Sequence, residues 1–216
     1  AHELRTPLTV LQGRIEQALQ DAPPSSDEQG AYNELLEEVQ RLKEIVRKLL
    51  LLSQADAGKL PLSLEPFDLA AAIEAVCEDA GVMAPQLEIT RELETGLPVR
   101  ADVDLMSQVL HNLTLNAIKH NRDEGRIEYR LRRAGSTARL TIANTGEAVP
   151  PEHRDRIFER FYRADPSRSR RVDGVGLGLS LAREIVRAHG GELTLADSGE
   201  DLTVFCLTLP LAAGDG

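Results

Sequence analysis

The stretch YNELLEEVQRLKEIVRKLL, residues 32–50, decides how the first quarter of the chain is read. Tyr32, Leu35, Val39, Leu42, Val46 and Leu49 recur at alternating steps of three and four, the a/d spacing of a helical seam. Leu36 and Leu50 widen the stripe beyond a two-stranded seam, as a bundle requires. Upstream, Leu4, Leu8, Leu11, Ile15 and Leu19 mark one face of another helix. Between the two lies Asp21-Ala-Pro-Pro-Ser-Ser-Asp27, whose paired prolines cannot continue a helix. Gly58 is a stop signal. The spacing predicts a helical hairpin over residues 1–58. One hairpin cannot cover both of its apolar faces. A symmetric dimer solves this by forming a four-helix bundle, and packing against the rest of the same chain is the other solution.

The whole chain has 216 residues, a formal net charge of -10 and 42% hydrophobic residues, which excludes a disordered tail. Aromatics are 3% with no Trp, so any core is aliphatic. No apolar run approaches the ~20 residues of a membrane helix, and none of the sequence is expected to be a signal peptide. Cys77 and Cys206 sit singly in apolar patterns, neither a disulfide framework nor a metal site, which fits a reducing, cytoplasmic setting. The acidic balance argues against nucleic-acid binding. The chain opens at Ala1 inside a pattern and is expected to be part of a longer protein.

Residues 59–66, with Pro61 and Pro66, read as a linker. Beyond it, 67–216 changes texture. Asp68 and Asp102 can each cap a helix, running to about Ala80 and Lys119. Leu87–Glu92, Leu97–Ala101, Arg126–Arg133, Thr137–Ala143, Glu192–Ala196 and Thr203–Leu209 read as strands, with Gly135-Ser136 in a turn. Pro151 is expected to begin a helix through about Phe161, and Leu177–His189 to form another. This region is α+β with a mostly antiparallel sheet.

Four motifs carry chemistry. In His2-Glu3-Leu4-Arg5-Thr6-Pro7, His2 and Thr6 lie at i and i+4 on one helix face. Pro7 offers no N–H to the carbonyl of Glu3, at a cost of roughly 3 kcal/mol in a helix interior. A carboxylate on Nδ1–H would leave Nε2 of His2 nucleophilic near neutral pH; a surface histidine at a helix end has the same composition. In Asn112-Leu-Thr-Leu-Asn116-Ala-Ile-Lys119-His120, Asn112, Asn116 and Lys119 or His120 share a stripe, with Leu105, Val109, Leu113 and Ala117 on the buried side. Amide oxygens suit Mg²⁺ and a lysine suits phosphate, although a solvated helix face reads alike. Asn144-Thr-Gly146 follows a strand; the glycine lets the backbone approach a ligand, and Asn144 can exchange hydrogen bonds with a flat heterocycle. An ordinary strand-to-helix turn is the plainer alternative. Gly174-Val-Gly176-Leu177-Gly178-Leu-Ser180 precedes a helix whose N–H groups face an anion. It is neither a Rossmann nor a Walker A fingerprint. Between the last two motifs, residues 160–171 hold five arginines, Arg163 among them, and one Asp, a lid-like segment for a polyphosphate or a solvated charge run. Phe158 and Phe161 are expected to anchor its base in the core.

Together the motifs resemble the sensor histidine kinases of bacterial two-component systems over nearly the whole chain. AHELRTPLT is similar to the H box of the dimerisation and phosphotransfer domain. NLTLNAIKH, NTGEAVP, FERFYR and GVGLGLS resemble the N, G1, F and G2 boxes of the Bergerat-type (GHKL) ATPase sandwich. The run from Asn144 to Ser180 is also similar to the copper and silver sensor subgroup. The resemblance implies that His2 accepts the γ-phosphoryl group of ATP, that Glu3 is its base or orienting partner, and that Thr6 positions water in the reverse, phosphatase reaction. It implies Mg²⁺ at Asn116, phosphates near Asn112, Lys119, His120 and Arg163, adenine at Asn144, Gly146 and Thr203, and a lid end shaped by Gly174, Gly176, Leu177 and Gly178. It further implies a homodimer, a response-regulator receiver domain as partner, and a cytoplasmic place in a membrane-anchored protein. Two positions depart from the family pattern. Asn144 stands where Asp is usual, so its bond to the adenine amine is not charge-assisted; the metal-sensor subgroup shares this Asn. Ala148 stands at the second G1 glycine. A dimeric ATP-binding scaffold without kinase activity is the rival reading; a chaperone- or topoisomerase-like ATPase fits the hairpin and H box poorly.

Overall fold

The computed structural model describes residues 2–164, 175–196 and 201–212, and of His2 to Arg5 the backbone alone. The chain divides into two compact units, Ala1–Ala57 and Gly58–Gly216.

The first unit is a helical hairpin. α1 (His2–Asp21) runs through Pro7. α2 (Asp27–Asp56) begins a turn before the leucine seam, because Ser26 caps it. The Ser26 hydroxyl oxygen accepts the N–H of Gln29 at 3.1 Å, and Gln29 Oε1 accepts the N–H of Ser25 at 2.7 Å. This arrangement resembles a capping box, and Asp27 and Glu28 favour the positive end of the helix dipole. α2 stops at Ala57, where Gly58 takes a φ of +63°. Within the hairpin Ile15, Val39 and Leu52 are buried, whereas Val10, Leu11, Leu35 and Leu42 are exposed.

The second unit is a helix-on-sheet sandwich. Its sheet has the order β2-β4-β5-β7-β6, formed by β2 (Glu88–Leu93), β4 (Arg126–Ala134), β5 (Thr137–Thr145), β7 (Leu202–Pro210) and β6 (Glu192–Ala196). Every neighbouring pair is antiparallel except β2–β4. That parallel pair needs a crossover, which α4 (Val103–Lys119) supplies. α3 (Leu69–Met83), α4 and α5 (Gly178–Ala188) form the helical layer. Alternate sheet residues, among them Ile127, Tyr129, Leu131, Leu140, Ile142, Phe205 and Leu207, are buried. Within this core the Tyr129 hydroxyl donates to Thr114 Oγ1 at 3.0 Å and ties α4 to β4. Asp68 and Asp102 cap α3 and α4 as their positions suggested.

Two stretches differ from the sequence reading. The expected linker 59–66 ends in a strand: β1 (Glu65–Phe67) pairs antiparallel with β3 (Val99–Ala101). Non-local bonds order it, since Arg100 Nη2 donates to Leu64 O at 2.9 Å. The expected helix from Pro151 to Phe161 is instead two short 3₁₀ turns, Pro151–His153 and Arg156–Phe158. Glu159 is extended and Phe161 takes a φ of +61°. Phe158 is buried, edge-on to Phe205 at 6.2 Å between ring centres and beneath the Arg183 guanidinium. Phe161, expected in the core, is 55% exposed, because its N–H is held by Gly176 O at 2.9 Å on a chain that has already turned outward. Among the described residues no helix is long and apolar enough to cross a membrane.

Candidate functional site

The site lies along the second half of α4, whose C-terminal end meets the end of β5 beside the start of β7 and whose middle, at Asn112, meets the start of α5. α4 buries Leu105, Val109, Leu113 and Ala117 on the sheet side, which leaves Asn112 and Asn116 half-buried and Lys119 exposed in the last turn. His120 caps the helix end and is exposed.

Asn144 is fully buried near the end of β5, in register with Thr203 of β7. Its Nδ2 donates to Thr145 O at 3.1 Å and to His120 O at 3.4 Å. Its Oδ1 is buried and has no hydrogen-bond partner. A buried acceptor left unmade costs roughly 1–3 kcal/mol, so an oxygen in this state can take a donor from a bound molecule. An exocyclic amine of a flat heterocycle is such a donor. Gly146 then turns the chain at a φ of +142°, and a Cβ there would run into the His120 carbonyl oxygen. The same carbonyl therefore takes the Asn144 amide and seats Gly146; at this point His120 contributes backbone. Thr203 is buried, its hydroxyl donating to Glu147 O at 3.5 Å.

The loop after α4 is fixed to the strand end by a closed set of bonds. Thr145 Oγ1 donates to Asn121 Oδ1 at 2.6 Å and accepts the N–H of Arg126 at 2.8 Å, while Asn121 Nδ2 donates to Arg126 O at 3.1 Å. Beside it opens a cleft of about 570 Å³ lined by Arg122, Gly146, Glu147, Ala148, Pro150 and Asp201. Arg122 and Asp201 carry no motif and are joined here only by folding.

At the other end, Gly178 opens α5 against Asn112: a Cβ on Gly178 would lie 3.7 Å from Asn112 Oδ1. Asn112 Nδ2 is a second buried polar atom without a partner. Gly176, at a φ of +75°, fits beneath Phe161 and Tyr162, where any Cβ would meet Phe161 C at 2.8 Å. Leu177 is buried, and its carbonyl oxygen accepts Leu181 N–H and the Ser180 hydroxyl. Arg163 is half-buried just after Tyr162. Tyr162 is itself fixed, with its hydroxyl 2.5 Å from His153 Nδ1 and the Arg156 guanidinium stacked on its ring. Gly174 and most of the arginine-rich segment lie outside the described residues.

The fold thus brings Asn112, Asn116, His120, Asn144, Gly146, Thr203 and Gly178 into one unit around two unpartnered buried amide atoms. His2, Glu3 and Thr6 belong to the first turns of α1 in the other unit, with Thr6 exposed. Among the described residues no group of three or more His, Cys, Asp and Glu could hold a metal ion.

The description His Kinase A (phospho-acceptor) domain matches residues 1–58, and the description histidine kinase-, DNA gyrase B- and HSP90-like ATPase matches residues 101–213. The sensor protein IrlS of Burkholderia pseudomallei is 32% identical over 213 residues, 99% of this chain and 46% of that protein. The chain spans less than half the length of the curated relatives it matches first. Among solved structures, full-length ShkA in complex with AMPPNP is 27% identical with a TM-score of 0.82, covering 99% of this chain and 45% of that one. Histidine kinase ThkA in complex with response regulator protein TrrA is 25% identical with a TM-score of 0.66, covering 98% and 60%. With both domain descriptions in tandem, the chain belongs to the sensor histidine kinases.

Proposed function

We propose that this chain is the catalytic portion of an ATP-dependent protein histidine kinase that passes phosphate to a response regulator. The observation that carries the reading is the buried, unpartnered Oδ1 of Asn144 beside Gly146, an acceptor suited to the adenine amine. ShkA with AMPPNP supports a nucleotide in this role, and ThkA with TrrA supports the partner.

Asn144 accepts from the base, Gly146 leaves room for the ring, and Thr203 flanks it from the neighbouring strand. Asn112, Lys119, His120 and Arg163 face the phosphates, with Gly174, Gly176, Leu177 and Gly178 at the lid end. Magnesium would neutralise phosphate charge; a single oxygen from Asn116 suits an ion that keeps several waters and phosphate oxygens as its other ligands. Such catalysis is mostly positioning plus charge neutralisation. The His2 ring nitrogen attacks the γ-phosphorus, the bond from that phosphorus to the bridging oxygen breaks, ADP leaves, and Glu3 takes or orients the ring proton. The phosphoryl group then moves from the ring to an aspartate carboxylate on the regulator. Thr6 would orient water when the regulator is dephosphorylated. The exposed leucines of the hairpin fit a dimeric four-helix bundle. We place the chain on the cytoplasmic side of a longer, membrane-anchored sensor.

The test is γ-labelled ATP with magnesium, given to the protein with its upstream helix present. Acid-labile label that is lost in His2→Ala and transferred to a receiver domain is expected. Nucleotide binding without any label on the ring would leave a binding scaffold instead.

A further inference from the structure

Asp102 joins three parts of the ATPase unit that are far apart in sequence. Its Oδ1 accepts the N–H of Leu105 at 3.1 Å and caps α4. Its Oδ2 accepts the N–H of Ser63 at 3.0 Å, in the stretch that leads from the hairpin to β1. Its own N–H donates to Nε2 of His189 at 3.0 Å. Nδ1 of the buried His189 lies 2.7 Å from Ile185 O, in the last turn of α5. A neutral imidazole with its proton on Nδ1 makes both bonds. The backbone pairing of β1 with β3 and the bond from Arg100 to Leu64 O hold the residues that directly follow Ser63.

The start of α4 and the end of α5 are therefore locked to each other and to the incoming chain. The opposite end of α5, at Gly178, meets the middle of α4 at Asn112 in the candidate site. Asp102 and Asn112 are separated by roughly 15 Å of helix, a length over which a helix moves as a rod.

We propose that Asp102 is a positioning residue through which seating of the incoming stretch sets nucleotide affinity. Ser63 on the carboxylate favours the arrangement of α4 and α5 that binds nucleotide. This inference rests on the ATP reading above. Because coupling between two binding events is reciprocal, nucleotide holds the Ser63 amide more tightly by the same factor.

Two variants of the full chain remove one bond from opposite sides. Asp102→Ser keeps a capping hydroxyl for Leu105 but has no second oxygen for Ser63. Ser63→Pro removes the donor and leaves Asp102 intact. Each should raise the Kd for magnesium AMPPNP about threefold, and the double variant also about threefold, since effects through one shared bond do not add. In the parent, saturating AMPPNP should slow hydrogen exchange at the Ser63 amide about threefold, a readout that a purely structural role does not move. Unchanged Kd in both variants, effects that multiply in the double, or absence of exchange protection in a parent that binds AMPPNP overturns the relay alone. A parent that fails to bind AMPPNP overturns the ATP reading and the relay with it.

Discussion

The hairpin and the ATPase unit solve the burial problem in opposite ways. The ATPase unit closes its own core: Ile73, Met106, Val109, Leu113, Ile127, Leu140, Ile185 and Phe205 are all at most 1% exposed. The hairpin, with a longer and more regular apolar seam, leaves Leu35 51% and Leu42 40% exposed. A sheet covered by helices is complete within one chain, whereas two helices bury one stripe of each and display the rest. The unit read as binding nucleotide is thus self-sufficient, and the unit read as carrying the phospho-acceptor is built to be finished by another surface.

The hairpin offers the largest effect with which to break this contrast. Burying one leucine contributes about 1.5–3 kcal/mol, and a symmetric pair counts every leucine twice. Leu35→Lys with Leu42→Lys should weaken self-association on the order of a thousandfold, about 4 kcal/mol, by sedimentation. AMPPNP affinity should stay within about twofold, because the nucleotide unit does not depend on that seam. A parent that sediments as a monomer would show that the exposed leucines are covered in some other way.

Glycines sharpen the contrast at intermediate scale. Gly146 has a φ of +142° and its Cβ position is blocked by the His120 carbonyl, a backbone group that cannot swing aside. Gly146→Ala should cost roughly 1–3 kcal/mol of stability and weaken AMPPNP binding on the order of tenfold, measured by thermal unfolding and by titration. Gly13 lies inside α1 with nothing within 4 Å of its Cβ position. Gly13→Ala should raise hairpin stability by roughly 0.5–1 kcal/mol, with nucleotide affinity unchanged.

Much of this was legible in local patterns. Asp68 and Asp102 stand where a capping carboxylate must, and both caps formed. The stripe of Asn112 and Asn116 follows from helix geometry, and Asn144 from its place at the end of an alternating run. What escaped depends on contacts distant in sequence. β1 has no periodicity in three residues and exists through β3, more than 30 positions on. The 151–161 stretch has helix-compatible residues, yet Phe158 turns in toward Phe205 while Phe161 is held outward by Gly176, two pulls that one regular helix cannot satisfy. The bond from Asp102 to His189 spans 87 positions, and no spacing rule connects them.

Alkaline pH gives the smallest and most local probe of the closed core. The only cysteines, Cys77 and Cys206, are both in the ATPase unit. Burial pushes the Cys77 thiol from 9.0 up to about 11, with Glu74 and Glu78 adding to the rise and the Arg91 guanidinium opposing it. The folded state therefore holds this proton more tightly than the unfolded chain. Its contribution to stability is complete below about pH 9 and is lost as pH rises through about 11. The melting-temperature difference between the parent and Cys77→Ala should be constant up to about pH 8.5 and shift against the parent between about pH 9 and 11. Subtraction removes the matching rise that burial imposes on Tyr129, which both proteins share. A difference that stays flat across that window would mean that the thiol meets water, and that α3 does not seal the sheet as tightly as its buried residues indicate.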